Sequence, residues 1–299
     1  MTDSPVVFDR LLVRRRRRRA AALEPATFLL DRAADDLADR LAAVLRHFDR
    51  AVDLGTPGEA VREALSRLGS IGTIVKTGAI PPDGRHPDKF IVADEETVPF
   101  GDGTLDLLVS VLALQWVNDL PGTFVQIRRA LKPDGLFIGA LLGGETLTEL
   151  RQSFAAAESE VEGGASPRVA PFADLRELGS LLQRAGFALP VTDADRFTVR
   201  YDSALALMRD LRRMGATNAL VARRRTPLRR TTLTRMIEVY ADRFSDADGR
   251  IRATFEIVWL SGWAPHPDQQ QPLRPGTAKT RLADALGTRE ISAGEKTGK

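Results

Sequence analysis

The sequence predicts an α/β protein with a doubly wound, mostly parallel sheet, and three observations predict it. The first is a strand, turn and helix start in Ala51-Val52-Asp53-Leu54, Gly55-Thr56-Pro57-Gly58-Glu59 and Ala60–Leu65, the layout of a nucleotide-binding βα turn. The second is the near-continuous apolar run Leu105–Leu114, which suits a central strand covered by helices on both faces. The third is the alternation of strand-like and helix-like segments up to Leu142, which argues for parallel crossovers.

The segments follow in order. Ser4–Ala22 is a basic N-terminal arm. Phe28, Leu29, Ala33, Leu37, Leu41, Val44 and Leu45 recur at helical spacing, so an amphipathic helix packed on a sheet edge is expected there. Arg50–Leu54, Ile71–Val75, Lys89–Ala93, Leu105–Leu114 and Leu136–Leu142 are the strands, and Pro81–Pro87 is a loop. Asn118-Asp119 precedes a capped helix over Leu120–Leu131, and Lys132-Pro133-Asp134-Gly135 turns the chain. Beyond Gly143, helices are expected over Thr146–Val161, Leu175–Ala185, Ala204–Met214 and Thr231–Phe244. Phe187–Thr192, Phe197–Tyr201 and Thr254–Trp263 read as strands. The expected organisation is an arm over 1–23, one large domain over 24–264 with a helical lid at about 145–245, and a flexible tail over 265–299.

Composition removes several classes of function. The 299 residues contain no cysteine, which excludes disulfides, thiolate zinc sites and a cysteine nucleophile. His47, His86 and His266 are far apart and lack HxD or HxxxH partners, so a two-histidine, one-carboxylate iron site is not expected, and no metal is. No apolar run approaches the ~18 residues of a membrane span, which predicts a cytoplasmic protein. The net charge is only +3, and lysine occurs solely at 76, 89, 132, 279, 296 and 299. No DNA contact is expected. The run Arg14–Arg19 fits a solvated arm or helix face, with weak contact to the inner face of a membrane or to RNA as alternatives.

With these segments placed, the chain resembles a class I S-adenosylmethionine-dependent methyltransferase. The resemblance rests on Val92-Ala93-Asp94-Glu95-Glu96, on Leu105–Ser110 with Leu114-Gln115-Trp116-Val117, and on Leu131–Phe137, in that order. It implies a Rossmann-like, mostly parallel seven-stranded sheet with helices on both faces. From Phe8-Asp9-Arg10 through Trp116–Pro121, Gly143–Leu147, Glu162-Gly163-Gly164, Leu207–Leu211 and Ala253–Ile257, the chain also resembles the methyltransferase-like assembly factors of respiratory complex I. Those are relatives of the malonyl-carrier O-methyltransferase of biotin synthesis. This narrower resemblance implies methyl transfer, or hydroxylation of an arginine on a complex I subunit acting as client.

The resemblance implies S-adenosylmethionine as cofactor, held by Asp53, Gly55, Gly58, Asp94, Glu95, Gln115 and Trp116. Asp53 would lie near the methionine part and Asp94 would accept from the adenine amino group, while Trp116 would stack or form a wall. Taken as bare residues, the acids equally fit loop caps and Trp116 equally fits core. Gly144, Glu145 and Arg168 are the expected substrate contacts, and no catalytic base is identified. Gln115 cannot act as one near neutral pH. Two departures weaken the cofactor motif. Pro57 replaces a glycine and has no N–H to donate. Where an acid should follow the second strand, the chain reads Ile74-Val75-Lys76-Thr77-Gly78, and an ammonium cannot accept ribose hydroxyl hydrogen bonds.

Overall fold

A computed structural model describes residues 6–81, 89–172, 174–266, 268 and 282–289. The chain divides into two units, 1–265 and 266–299. In the second, Leu282–Leu286 forms a short helix. Most of the expected tail, and most of the expected loop Pro81–Pro87, lie outside the described residues.

The first unit opens with helices α1 (Arg10–Ala21) and α2 (Phe28–Ala42), then β1 (Phe48–Leu54), α3 (Ala60–Ser66), β2 (Ile71–Gly78), β3 (Phe90–Val92) and β4 (Leu105–Val111). It continues with α4 (Leu120–Ala130), β5 (Leu131–Leu142), α5 (Thr148–Glu162), α6 (Leu175–Arg184), β6 (Ala188–Tyr201), α7 (Ala204–Arg213), α8 (Arg230–Phe244) and β7 (Ile251–Trp263). The seven strands form one sheet in the order β3-β2-β1-β4-β5-β7-β6. The first five run parallel and β7 lies antiparallel to both β5 and β6. From β1 the strand order runs outward through β2 and β3, then returns to β4 on the other side. The C-terminal ends of β1 and β4 therefore flank a topological switch point, where open α/β sheets place their ligands.

Local signals place the helices. Asp119 caps α4 by accepting from the Gly122 N–H at 2.9 Å, with Pro121 in the first turn. Asp9, Asp174 and Ser203 cap α1, α6 and α7 in the same way. The apolar stripe of α2 packs with Ala51, Leu107, Val109, Ile138 and Trp259. Because those residues come from β1, β4, β5 and β7, the contact lies on a sheet face rather than at the expected edge, and Arg32 and Arg40 of the helix lie over Phe197 and Trp259. The other face is filled by Phe124, Phe137, Phe187, Leu178 and Leu182.

Three sequence expectations need correction. The arm contains the α1 helix, docked on the body through Val13 and Ala20. The expected strands Phe187–Thr192 and Phe197–Tyr201 merge, from Ala188 onward, into one long strand, β6, which belongs to the sheet although it falls inside the stretch expected to be lid. Leu131, expected to end the helix, and Lys132–Gly135, expected as a turn, are already in β5. Asp134 adopts φ 59° there and the β4–β5 register shifts between Leu105 and Leu107, an irregularity of the bulge type.

Phe137 is fully buried between Phe124 and Phe187, with ring centroids 5.7 and 5.6 Å away. Phe137→Ala leaves a cavity on this face and is expected to cost about 3–5 kcal/mol. Thermal unfolding should show the midpoint falling by roughly ten degrees.

Candidate functional site

At the switch point β1 ends on Asp53 and Leu54, and the chain turns through Gly55 at φ 71° and Gly58 at φ 66° into α3. Both glycines are in the left-handed region, which a side chain would strain. A Cβ on Gly55 would come within 2.3 Å of the Glu95 Cγ, so this glycine also makes room for a neighbouring acid. The Gly55 N–H donates to the Thr77 carbonyl at 3.0 Å, and the Thr56 hydroxyl accepts from the Val111 N–H at 3.0 Å. These bonds tie the loop to β2 and β4.

A cavity of about 950 Å³ opens beside this loop. Its polar end is lined by Gly55, Thr56, Gly58, Glu59, Lys76, Thr77, Glu95 and Gln115. Its other end is apolar, with Leu150, Phe154, Phe172, Met208, Leu211 and Phe255 in the wall. Within the polar end, the Thr77 hydroxyl and the Gln115 Oε1 are buried and have no hydrogen-bond partner. An unmet buried polar group costs about 1–3 kcal/mol, and both of these residues belong to the cavity lining.

Asp53 lies under the loop and does not line the cavity. It is wholly buried and neither carboxylate oxygen finds a hydrogen-bond partner. Burial pushes its pKa up to about 6, while Lys76 and the nearby Thr56 pull it down and Glu59 pushes further up. Thr56 is near enough to influence the charge without reaching hydrogen-bond geometry. Lys76 is the register partner of Asp53 across β1 and β2. Lys76 is 5% exposed and its ammonium donates to the Glu59 Oε1 at 3.0 Å. Arg62 holds the other Glu59 oxygen at 2.5 Å.

The α1 helix closes one side of the cavity. Arg10, Arg14 and Arg17 stand on one helical face, at i, i+4 and i+7. Arg10 donates to Asp94 at 2.7 Å and also pairs with Glu95; Arg17 donates to Glu95 at 2.6 Å; Arg14 pairs with Asp94. Arg10 additionally donates to the Trp116 carbonyl at 2.9 Å. The Asn118 side chain accepts from the Val7 and Phe8 N–H groups at 2.9 and 2.7 Å, and Phe8 meets Trp116 edge-on at 5.5 Å. Burial works against charge on Asp94, but the Glu96 N–H, Arg14 and Arg10 hold its pKa below the ordinary value. Burial likewise opposes charge on Glu95, and Arg17 and Arg10 overcome it.

Of the residues expected to hold cofactor, the cavity brings together Gly55, Gly58, Glu95, Gln115 and Trp116, and leaves Asp53 and Asp94 outside its lining. Asp94 points at α1 because two arginines of that helix compete for it. Among the expected substrate contacts only Arg168 lines the cavity. It pairs with the buried Glu158 and lies over the Phe154 ring at 5.4 Å. Gly144 gives its carbonyl to Arg151, and the Glu145 N–H donates to Glu256 at 3.1 Å, so both serve the turn after β5. Sequence reasoning missed Glu59, Thr77 and the inward arginines of α1. For Thr77 the only signal was its place after Lys76 at a strand end. For the arginines it was their helical spacing, hidden inside a longer run.

A family model described as a methyltransferase domain matches residues 52–139. Over 287 residues, 93% of this chain and 89% of the relative, it is 38% identical to arginine-hydroxylase NDUFAF5, mitochondrial, of Danio rerio. The chain belongs to the NDUFAF5 family. It is 39% identical to the Homo sapiens NDUFAF5 protein, with 93% of this chain and 83% of that one aligned. A malonyl-[acyl-carrier protein] O-methyltransferase of Halorhodospira halophila is 35% identical, with 85% and 88% aligned. Among solved structures, the YcgJ protein of Bacillus subtilis superposes with a TM-score of 0.52 at 15% identity, covering 79% of this chain and 99% of that one. The NDUFAF5-family chain thus has the class I methyltransferase fold. Among the described residues no group of three or more His, Asp or Glu is arranged to hold a metal ion.

The raised pKa of Asp53 fixes a sign. The native state holds this proton more tightly than the unfolded chain does, so stability falls as pH rises from about 4 to about 6 and stays lower above that. The shift corresponds to about 3 kcal/mol. Asp53→Asn is therefore expected to raise the thermal midpoint at neutral pH and to leave it nearly unchanged at pH 4, as measured by unfolding across that range.

Proposed function

We propose that this chain binds S-adenosylmethionine at the polar end of the cavity and transfers its methyl group to an acceptor held in the apolar end. One observation carries the reading. A left-handed glycine turn, a helix start and two buried, unpartnered side-chain groups converge on one cavity at the sheet's switch point. The residues present fit such a cofactor. Gly55 and Gly58 allow close backbone approach, and Thr77 and Gln115 offer hydrogen bonds that nothing in the chain takes up. The cofactor supplies an electrophilic methyl carbon on a sulfonium.

This chain's residues then bind, align and exclude water. Glu59 serves in place of the missing second-strand acid: its carboxylate lines the cavity and Lys76 and Arg62 fix it there. A carboxylate so held accepts ribose hydroxyls, worth roughly 1.5–3 kcal/mol for a charged hydrogen bond. Trp116, buried against Phe8, forms part of the cavity wall. No side chain in the polar end is placed as a strong base, which suits an acceptor needing alignment more than deprotonation.

A second reading has its own observation. The Arg10, Arg14 and Arg17 pairs occupy Asp94 and Glu95, and Pro57 removes an N–H from the loop. These features favour a protein that holds a client, a complex I subunit on the resemblance drawn from the sequence, and binds cofactor weakly. Arginine hydroxylation is the activity named for its NDUFAF5 relatives.

Thermal unfolding with excess S-adenosylmethionine or S-adenosylhomocysteine tests the first reading. A ligand at ~100 times its Kd adds about 2.7 kcal/mol, a rise of roughly 5–10 degrees at this size. Glu59→Gln and Thr77→Val are each expected to weaken binding by about tenfold. Absence of any shift at millimolar ligand overturns the reading and leaves client binding, which a pull-down enriched in respiratory subunits would support.

A further inference from the structure

The cavity at the switch point is uneven in charge. Eight basic side chains and two acidic ones contribute to its lining, and both acids are already engaged. Glu95 is held by Arg10 and Arg17, and Glu59 by Lys76 and Arg62. No acid of the lining is left for a cationic ligand. Hydrogen-bond donors are in surplus as well. Arg10 Nε, Arg14 Nε and Arg17 Nη2 are buried without a partner, and buried polar groups are ordinarily satisfied.

The surplus charge has a definite place. Arg168 is paired with Glu158, and Arg213 with Glu24 and Asp210. Arg18 and Arg212 line the cavity, are exposed, and make no ion pair among the described residues. A residue that both lines a cavity and meets solvent stands at its mouth. The helices carrying these two arginines meet close by: a Cβ on Gly215, just past α7, would come within 3.2 Å of the Arg17 Cα and 3.4 Å of the Ala20 Cβ of α1. Two unpaired guanidinium groups thus flank the mouth.

Behind them the wall is apolar. Met208 precedes Arg212 on α7 by about one helical turn, roughly 5.4 Å, and Phe154, Phe172 and Phe255 continue the surface. Thioethers adapt to bodies of differing shape and favour contact with rings. A cofactor in the polar end would bring a sulfonium, and a second cation beside it would be repelled. The charged guanidinium or ammonium of a peptide side chain is therefore a poor occupant of the apolar end.

We infer that the acceptor is an apolar-bodied anion. Its ring system or hydrocarbon chain lies against Met208, Phe154, Phe172 and Phe255, and its carboxylate stays at the mouth between Arg18 and Arg212, where guanidinium groups recognise it. The methyl-accepting atom is then at the inner end of the body, away from the carboxylate. Calling this occupant an acceptor rests on the methyl-transfer reading; its charge and shape rest on the lining alone. Aromatic and aliphatic acids share this chemistry.

Isothermal titration calorimetry of the full-length protein, with and without saturating S-adenosylhomocysteine, tests it. The probes are naphthoate and decanoate, their neutral alcohols naphthalenemethanol and decanol, and the matched amines naphthylmethylamine and decylamine. The acid is expected to bind at least about fivefold more tightly than its alcohol, at roughly threefold per exposed ion pair, and the amine most weakly. Added salt should narrow that gap. The tighter of naphthoate and decanoate identifies the body as ring or chain. Arg18→Gln with Arg212→Gln should bring acid and alcohol to equal affinity, with the alcohol's own affinity and the ligand-free unfolding midpoint unchanged. Arg18→Lys with Arg212→Lys should retain most of the preference. Met208→Gln should weaken acid and alcohol alike, and Arg184→Gln, exposed on α6, should bind like the parent. Equal affinity for acid, alcohol and amine, tighter binding of the amine, or a preference that survives in the double glutamine variant would each overturn the inference. Heat from S-adenosylhomocysteine with none from either acid overturns it and spares the methyl-transfer reading. Heat from an acid with none from S-adenosylhomocysteine removes that reading and leaves the anion site standing.

Discussion

The structure depends on a four-way charge contact between α1 and the turn after β3. Arg10 and Arg17 meet the nearly inaccessible Glu95, while Arg10 and Arg14 share Asp94. A carboxylate as buried as Glu95 is costly to ionise alone, so the helix and the acidic turn need each other. Because the Glu95 side chain lies against Gly55, the same contact bears on the glycine loop. The helix also contacts the distal segments: the Asp9 N–H donates to the Ala219 carbonyl at 2.9 Å, and a Cβ on Gly215 would come within 3.2 Å of the Arg17 Cα. Through α1, the switch point of the sheet and the segment after α7 become parts of one enclosure.

The two kinds of buried acid respond to protons in opposite ways. Asp94 and Glu95 have lowered pKa values because arginines surround them. Their contribution to stability is present above the ordinary carboxylate range and is lost as pH falls. Asp53 has a raised pKa because burial dominates over Lys76, so acidification relieves it. Falling pH therefore eases Asp53 first, between about 6 and 4, and weakens the α1 contact only below the ordinary carboxylate range.

Much of the fold was legible in the sequence because strands covered on both faces and capped helices leave local marks. Leu105–Leu114 and the Asp119–Pro121 helix start are examples. What was hidden depended on pairings between distant segments. A break in apolar character at Asp193-Ala194-Asp195-Arg196 suggested two strands, yet the residues stay in β6 because β7 pairs with them throughout and Arg32 and Arg40 of α2 meet Asp195 and Asp193 at 2.7 Å. The run Arg14–Arg19 read as one charge feature, but helical geometry divides it into an inward face and an outward one. At the site, Gly55, Gly58, Gln115 and Trp116 were recognisable by their place at strand ends. Glu59 was not, because its role comes from a lysine seventeen residues later in the chain.

That lysine has a consequence for how the chain can change. The ammonium of Lys76 pairs with Glu59 and acts on Asp53 by its charge, which moderates the repulsion between the two carboxylates. An acid at position 76 would add a third carboxylate and remove that cation, leaving Glu59 with Arg62 alone and Asp53 with burial and repulsion both against its charge. Position 76 therefore accepts an acid only together with a change at Asp53 or Glu59.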